Sequence, residues 1–204
     1  MKLAFEILLI LFAYFLGSVP FGYIFTKKFT GKNIRQVGSG NIGSTNVRRV
    51  AGFKVSLMTQ LCDMMKGLLP VAIVFVIQYN GINFFGEIFI YIVALAAILG
   101  HNFSVFLKFK GGKGVNTTLG TSVLLGPISV FISVLVYFIV KWSSKYVSLG
   151  SIFLAITLPV SEFILHKATP LFYYFVICSL LIILMHLPNI KRLFSGTETY
   201  SDNK

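Results

Sequence analysis

The chain has 204 residues, 56% of them apolar and only 12% charged, with a mean hydropathy of +0.84. Soluble domains carry about 25% charged residues, so an ordinary soluble domain is excluded. The net charge of +12 fits basic loops drawn to anionic lipid or phosphorylated substrates. It does not point to nucleic acid, because no long basic stretch is interleaved with exposed aromatics.

In chain order, the apolar runs predict membrane spans at 3–26, 54–78, 87–103, 113–125, 127–142, 148–165 and 170–187. The first is expected to be a span rather than a signal peptide: only Lys2 precedes it, no A-x-A site follows, and it continues past Pro20 to Phe25. The fourth is short, and with the fifth it could form one helix kinked at Gly126-Pro127, giving six spans. Charge favours seven. Lys and Arg number seven in 27–54, three in 104–114, two in 141–147 and three in the tail, so fifteen of eighteen fall on one face. The positive-inside rule then places the N-terminus outside and the C-terminus in the cytoplasm. The expected fold is all-α, a polytopic membrane protein with seven transmembrane helices forming one domain over 1–204. Cys62 and Cys178 lie within apolar runs and suggest neither a disulfide framework nor a zinc site. The polar stretch 195–204 is expected to fray.

Two glycine-rich basic segments on the same predicted face carry the chemistry. In Val37-Gly-Ser-Gly-Asn-Ile-Gly-Ser-Thr-Asn-Val-Arg-Arg49, N–H groups near Gly38, Gly40 and Gly43 can face an anion. Ser39, Ser44, Thr45 and Asn46 add neutral donors, and Arg48 and Arg49 add charge. The second, Phe109-Lys-Gly-Gly-Lys-Gly114, is not a Walker A loop, because Gly114 and Val115 follow Lys113. Its glycines would open a helix whose positive dipole end favours an anion. His101 and His186 stand at span ends, where a lone histidine is more commonly a cap than a catalyst. Asp63 and Lys66, at i and i+3 inside the second span, read first as a self-neutralising pair. Ser148 and Ser151 open the sixth span as ordinary helix-start or packing residues. His166 is assigned no role.

Over most of its length the chain resembles the bacterial integral-membrane acyl-phosphate:glycerol-3-phosphate acyltransferases. The resemblance rests on Gly17-Ser-Val-Pro-Phe-Gly22, the Val37–Arg49 loop and Asp63-x-x-Lys66-Gly67. It continues through Gly100-His-Asn-Phe-Ser, Phe109-Lys-Gly-Gly-Lys-Gly-Val115 and Tyr146-Val-Ser-Leu-Gly-Ser151, and ends with His186-x-x-Asn-Ile-x-Arg192 and Gly196-x-Glu198. Leu187 stands where the family usually has arginine, and Pro188 after it should end the helix. Alanine is common where Ser44 and Gly150 stand.

The resemblance implies acyl transfer from acyl phosphate to the 1-hydroxyl of glycerol 3-phosphate, giving lysophosphatidic acid and phosphate. It implies no metal or other cofactor and no acyl-CoA or carrier-protein donor. On that basis Arg49, Lys110, Ser39 and Ser148 are expected on the acceptor's phosphate. Backbone N–H groups of 38–46, with Gly40, Asn41, Gly43, Thr45 and Asn46, are expected on the acyl phosphate. His101, Gly111, Gly112 and Lys113 are placed with the substrate-binding groups. His186 and Asn189 orient the alcohol and carbonyl, with His186 a possible base. Expected partners are the two substrates and membrane lipid, with no nucleic acid and no obligate protein. The expected location is the bacterial inner membrane, multi-pass, with the site facing the cytoplasm. The competing readings are a transporter of a phosphorylated solute and a non-catalytic scaffold for anionic lipid. A transporter usually has a midplane site between inverted repeats, and this chain has no repeat.

Overall fold

The computed structural model describes residues 2–80 and 85–201. Among them every regular element is helical, and the chain divides into two compact units, Met1–Leu124 and Leu125–Lys204.

The first unit holds α1 (Lys2–Ser18), α2 (Phe21–Thr30), α3 (Ser44–Tyr79), α4 (Phe89–Asn102) and α5 (Val115–Ser122), with 3-10 turns at Ile34–Gln36 and Val105–Leu107. The first predicted span is a broken rod. Pro20 has no N–H to donate and disfavours helix at Val19, so α1 stops and α2 starts anew. The carbonyls released at the break are capped from elsewhere. Ser104 Oγ donates to Ser18 O at 2.6 Å, and Lys66 Nζ to Val19 O at 2.9 Å. Along α1, Gly17 lies against the Ala97 backbone of α4, and Gly100 of α4 lies against Tyr14 O; a Cβ at either would overlap a carbonyl oxygen. Small residues of this kind let membrane helices pack backbone to backbone.

The second predicted span matches the part of α3 beyond a kink at Gly52, and a helical arm precedes it. α3 starts at Ser44, so Arg48 and Arg49 ride on a helical arm rather than in a loop. The arm is set off by Gly52, at φ 83° and ψ 179°, a conformation that requires glycine. Ser56 Oγ braces the kink by donating to Ser44 O at 2.8 Å. The predicted fourth span also needs correction. α5 has eight residues, a rise of about 12 Å, against a hydrocarbon core of about 30 Å.

The second unit holds α6 (Pro127–Ser144), α7 (Val147–His166), α8 (Pro170–Met185) and α9 (Leu187–Phe194). Pro127 starts α6 as a new helix, so the alternative of one kinked helix through 113–142 is not what forms. α8 ends before Pro188, as expected. The chain then re-enters helix at a 57° bend, with Pro188 tolerated in the first turn of α9. Glu162 on α7 accepts from Ser129 Oγ of α6 at 2.6 Å and faces His166 Nδ1 at 3.0 Å, so His166 does have a partner. Phe131, Leu135, Ile139 and Trp142 form an exposed apolar stripe on α6, as a lipid-facing helix requires. The tail is tied down rather than frayed as far as residue 201. Ser201 N donates to Lys145 O at 2.8 Å, and Tyr200 stacks on Tyr146 at 4.8 Å between ring centroids. Residues 202–204 lie outside the described set.

Among the described residues five helical segments are long and apolar enough to cross a membrane, or six if α8 and α9 count as one bent span. Seven is therefore not reached by length and composition alone.

Candidate active site

The first glycine-rich segment is built around one side chain. Asn46, in the first turn of α3, is 2% exposed. Its Oδ1 accepts from Ser39 N at 3.0 Å, and its Nδ2 donates to Val37 O at 3.1 Å and Asn41 O at 2.9 Å. Gly38 and Gly40 take φ of 60° and 70°, and a side chain at Gly38 would collide with Asn46 Oδ1. Asn41 Oδ1 closes the loop by accepting from Gly43 N at 2.8 Å, while Gly40 N donates to Val37 O at 3.1 Å. This corrects the expected cradle. The N–H groups of Ser39, Gly40 and Gly43 hold the loop's own shape, and Asn46 is its organiser. The N–H groups of Ser44 and Thr45 open α3, where a helix leaves donors outward. Ser39 is exposed and Thr45 half-buried.

The arginines diverge. Arg48 is exposed and lies over the Phe53 ring at 5.6 Å, a surface cation–π contact. Arg49 is half-buried one position on.

The second glycine-rich segment caps α4. Gly111 N donates to Asn102 O and Gly112 N to His101 O, each at 3.0 Å, satisfying carbonyls that a helix end leaves unbonded. Those two N–H groups are therefore not aimed at a ligand either. What the glycines permit is close approach: a Cβ at Gly112 would overlap His101 Nε2, and one at Gly111 would overlap His101 O. His101 is buried and is not a side-chain cap; its Nδ1 faces Asp63 Oδ1 at 3.7 Å. Asp63 and Lys66 form the expected pair at 2.8 Å. Lys110 is exposed and Lys113 half-buried.

The structure brings the two segments together within the first unit. Asn116 Nδ2, in the first turn of α5, donates to Ser44 Oγ, in the first turn of α3, at 3.2 Å. No Asp or Glu occurs in 27–54 or 103–114, so the charged side chains of these two segments are all cationic.

In the second unit, Glu198, which the sequence reading noted only as the end of a motif, is the centre of the cluster. Glu198 accepts from Ser148 Oγ at 2.9 Å, Asn189 Nδ2 at 2.7 Å and Arg192 Nε at 2.7 Å. Burial pushes the Glu198 carboxyl up, but these hydrogen bonds and the Arg192 charge outweigh it and hold the group below the ordinary glutamate value. Ser148 therefore commits its only proton to a carboxylate, which corrects its expected use as a phosphate donor. His186, buried at the α8–α9 bend, has Nδ1 at 2.8 Å from Ile182 O. A carbonyl only accepts, so Nδ1 carries the hydrogen, which in the neutral ring leaves Nε2 as the acceptor nitrogen. Among the described residues no group of three or more His, Cys, Asp or Glu is placed to hold a metal ion.

A family model described as glycerol-3-phosphate acyltransferase matches residues 7–196. The chain belongs to this family. A glycerol-3-phosphate acyltransferase of Geotalea daltonii is 44% identical over 195 residues, covering 95% of this chain and 96% of the relative. One from Clostridium acetobutylicum is 40% identical over 193 residues, covering 94% and 98%. The crystal structure of PlsY (YgiH), an integral membrane glycerol 3-phosphate acyltransferase, in its glycerol 3-phosphate form matches with a TM-score of 0.87 at 36% identity, over 96% of this chain and 94% of that one. Its lysophosphatidic acid form matches with a TM-score of 0.84. As a member of the glycerol-3-phosphate acyltransferase family, the chain is an all-helical integral membrane protein, in keeping with its apolar helices.

Proposed function

We propose that this protein transfers a fatty acyl group from acyl phosphate to the 1-hydroxyl of sn-glycerol 3-phosphate, as an early step of phospholipid synthesis. The observation that carries the reading is the family match across 7–196, together with a relative solved in a glycerol 3-phosphate form. The hydroxyl oxygen attacks the acyl carbon, and the bond from that carbon to the phosphate oxygen breaks. Phosphate leaves with the electron pair and takes up the hydroxyl proton, giving lysophosphatidic acid and inorganic phosphate. Phosphate is a good leaving group, so the protein's work is to hold two anions close and aim the alcohol.

Arg49, Lys110 and Ser39 hold the acceptor's phosphate. The Ser44 and Thr45 N–H groups and Lys113 hold the donor's phosphate, within a loop shaped by Gly40, Asn41, Gly43 and Asn46. His186 Nε2 accepts from the alcohol, and Asn189, fixed through Glu198, aids the same alignment. Ser148 secures Glu198. His101 supports Gly111 and Gly112 from below. The acyl chain lies among the apolar helices. The two compact units serve as one acyltransferase domain, as the family match across both supports.

The proposed topology has the N-terminus outside, the C-terminus in the cytoplasm, and the site on the cytoplasmic face of the inner membrane. Its support is the bias of basic residues. It requires α5 and the turn after it to count as a crossing. Thr117, Thr118, Gly120, Thr121 and Ser122 are all buried, as a short polar crossing shielded by protein would need.

The decisive experiment gives the purified protein labelled glycerol 3-phosphate with acyl phosphate or acyl-CoA. Labelled lysophosphatidic acid should form from acyl phosphate alone. Comparable rates from acyl-CoA would defeat the donor assignment.

A further inference from the structure

We infer that Asp63 and Lys66 are positioning residues for the glycerol 3-phosphate site, acting through His101 on the glycine-rich turn 110–114. A pair whose only task was to cancel its own charge would need no third partner. Here both members reach beyond each other. Lys66 Nζ sits 2.8 Å from Asp63 Oδ1 and also donates to Val19 O at the α1–α2 break. The same Asp63 oxygen faces His101 Nδ1 at 3.7 Å, longer than a hydrogen bond but within reach of a carboxylate's charge. All three side chains are at most 4% exposed.

The opposite edge of the His101 ring meets the turn. Its Nε2 occupies the space where a side chain at Gly112 would stand, and the His101 carbonyl accepts from Gly112 N at 3.0 Å. The ring thus stands between Asp63 on one side and Gly112 on the other. Gly112 in turn lies between Lys110 and Lys113, the two cations assigned to phosphate. A continuous line of contacts therefore runs from the broken first helix through Lys66, Asp63 and His101 to those lysines. The inference rests on the reading that the turn holds substrate phosphate.

The test removes the pair as a unit. Replacing a buried ion pair by apolar residues of similar size commonly preserves folding, whereas removing one partner does not. Asp63→Leu/Lys66→Met should remain monodisperse in detergent. It should raise KM for glycerol 3-phosphate by about 10- to 100-fold with kcat changed far less, as a small misplacement of a binding group does. In the wild-type background His101→Asn, which keeps an N–H near the Nδ1 position, should retain a lower KM than His101→Leu. That advantage should vanish in the Asp63→Leu/Lys66→Met background. Amide exchange of the 109–116 segment should quicken in the double variant and in His101→Leu, and this readout needs no turnover. A folded double variant with wild-type KM would overturn the inference, as would equal KM for His101→Asn and His101→Leu. If the double variant does not fold, the histidine comparison decides. If the wild-type protein makes no lysophosphatidic acid, the proposed function fails by itself, and unchanged exchange in the variants would sink the positioning role separately.

Discussion

Arg48 and Arg49 are neighbours in sequence with different surroundings. Arg48 is exposed over Phe53, whereas Arg49 is half-buried. A charge-assisted phosphate contact is worth about 1.5–3 kcal/mol, roughly 10- to 150-fold. Arg49→Ala should therefore raise KM for glycerol 3-phosphate by that factor if the contact is equal in ground and transition states. Arg49→Lys should fall between, because it keeps the charge and loses the fork. Arg48→Ala should change KM by less than about threefold, as expected of an exposed cation–π contact. Steady-state kinetics on variants of matched folding would decide, and a severe Arg48→Ala beside a normal Arg49→Ala would reverse the assignment. Glu198 supplies a pH prediction. Its carboxyl is held below the ordinary value, so the stabilisation is complete above the unfolded glutamate pKa, about 4.3. It is lost as pH falls through the lower folded value. Melting temperature in detergent should drop more steeply below pH 4.3 for the wild type than for Glu198→Gln. Parallel curves would remove Glu198 from the account. The arginines could be picked out from sequence because only 12% of the chain is charged and these two close an otherwise uncharged glycine-rich run. The commitments of Asn46, Ser148, Gly111 and Gly112 could not. They depend on which acceptor the fold brings to within about 3 Å of each donor, and composition carries no record of that.

At the level of helices, the α1–α2 break shows how a membrane protein can stop a helix without leaving bare carbonyls in the apolar interior. Ser104 comes from far along the chain to cap Ser18 O, and both residues are 1% exposed. Ser104→Ala should leave that acceptor unsatisfied, at a cost of about 1–3 kcal/mol. For a chain of this length the melting temperature should fall by about 2–4 °C per kcal/mol. A calorimetric or fluorescence melt within 1 °C of wild type would show, on the same scale, that another donor takes over. Sequence located these helices well where an apolar run ends at a charge or proline, as for α6, α7 and α8. It located the part of α3 beyond the Gly52 kink well and missed the helical arm before it, because hydropathy cannot see a polar segment as helix. It failed at α5 because a window that averages Thr, Gly and Ser with Val and Leu does not measure helix length.

For the molecule as a whole, hydropathy established the class, an all-helical membrane protein, because 56% apolar composition leaves few other ways to satisfy the backbone. It did not establish the number of crossings, since five or six segments pass on length and the seventh needs the short α5. Orientation is testable independently of that count. In a Cys-free background, a cysteine at Asn80, at the end of α3, should react with an impermeant reagent in intact cells, and one at Lys108 should not. The opposite labelling pattern would discard the proposed cytoplasmic site. Equal labelling of both would show that α4, which lies between them, does not cross.

The exposed stripe on α6 ends at Trp142, which is 70% exposed, and the chain has no other tryptophan. Its ultraviolet emission is therefore a single-site signal from the lipid boundary of the second unit. Tryptophan favours the depth of the headgroups. Lipids brominated at successive carbons of the acyl chain should quench it most when the bromine lies near the glycerol backbone, giving a depth measurement without any added label.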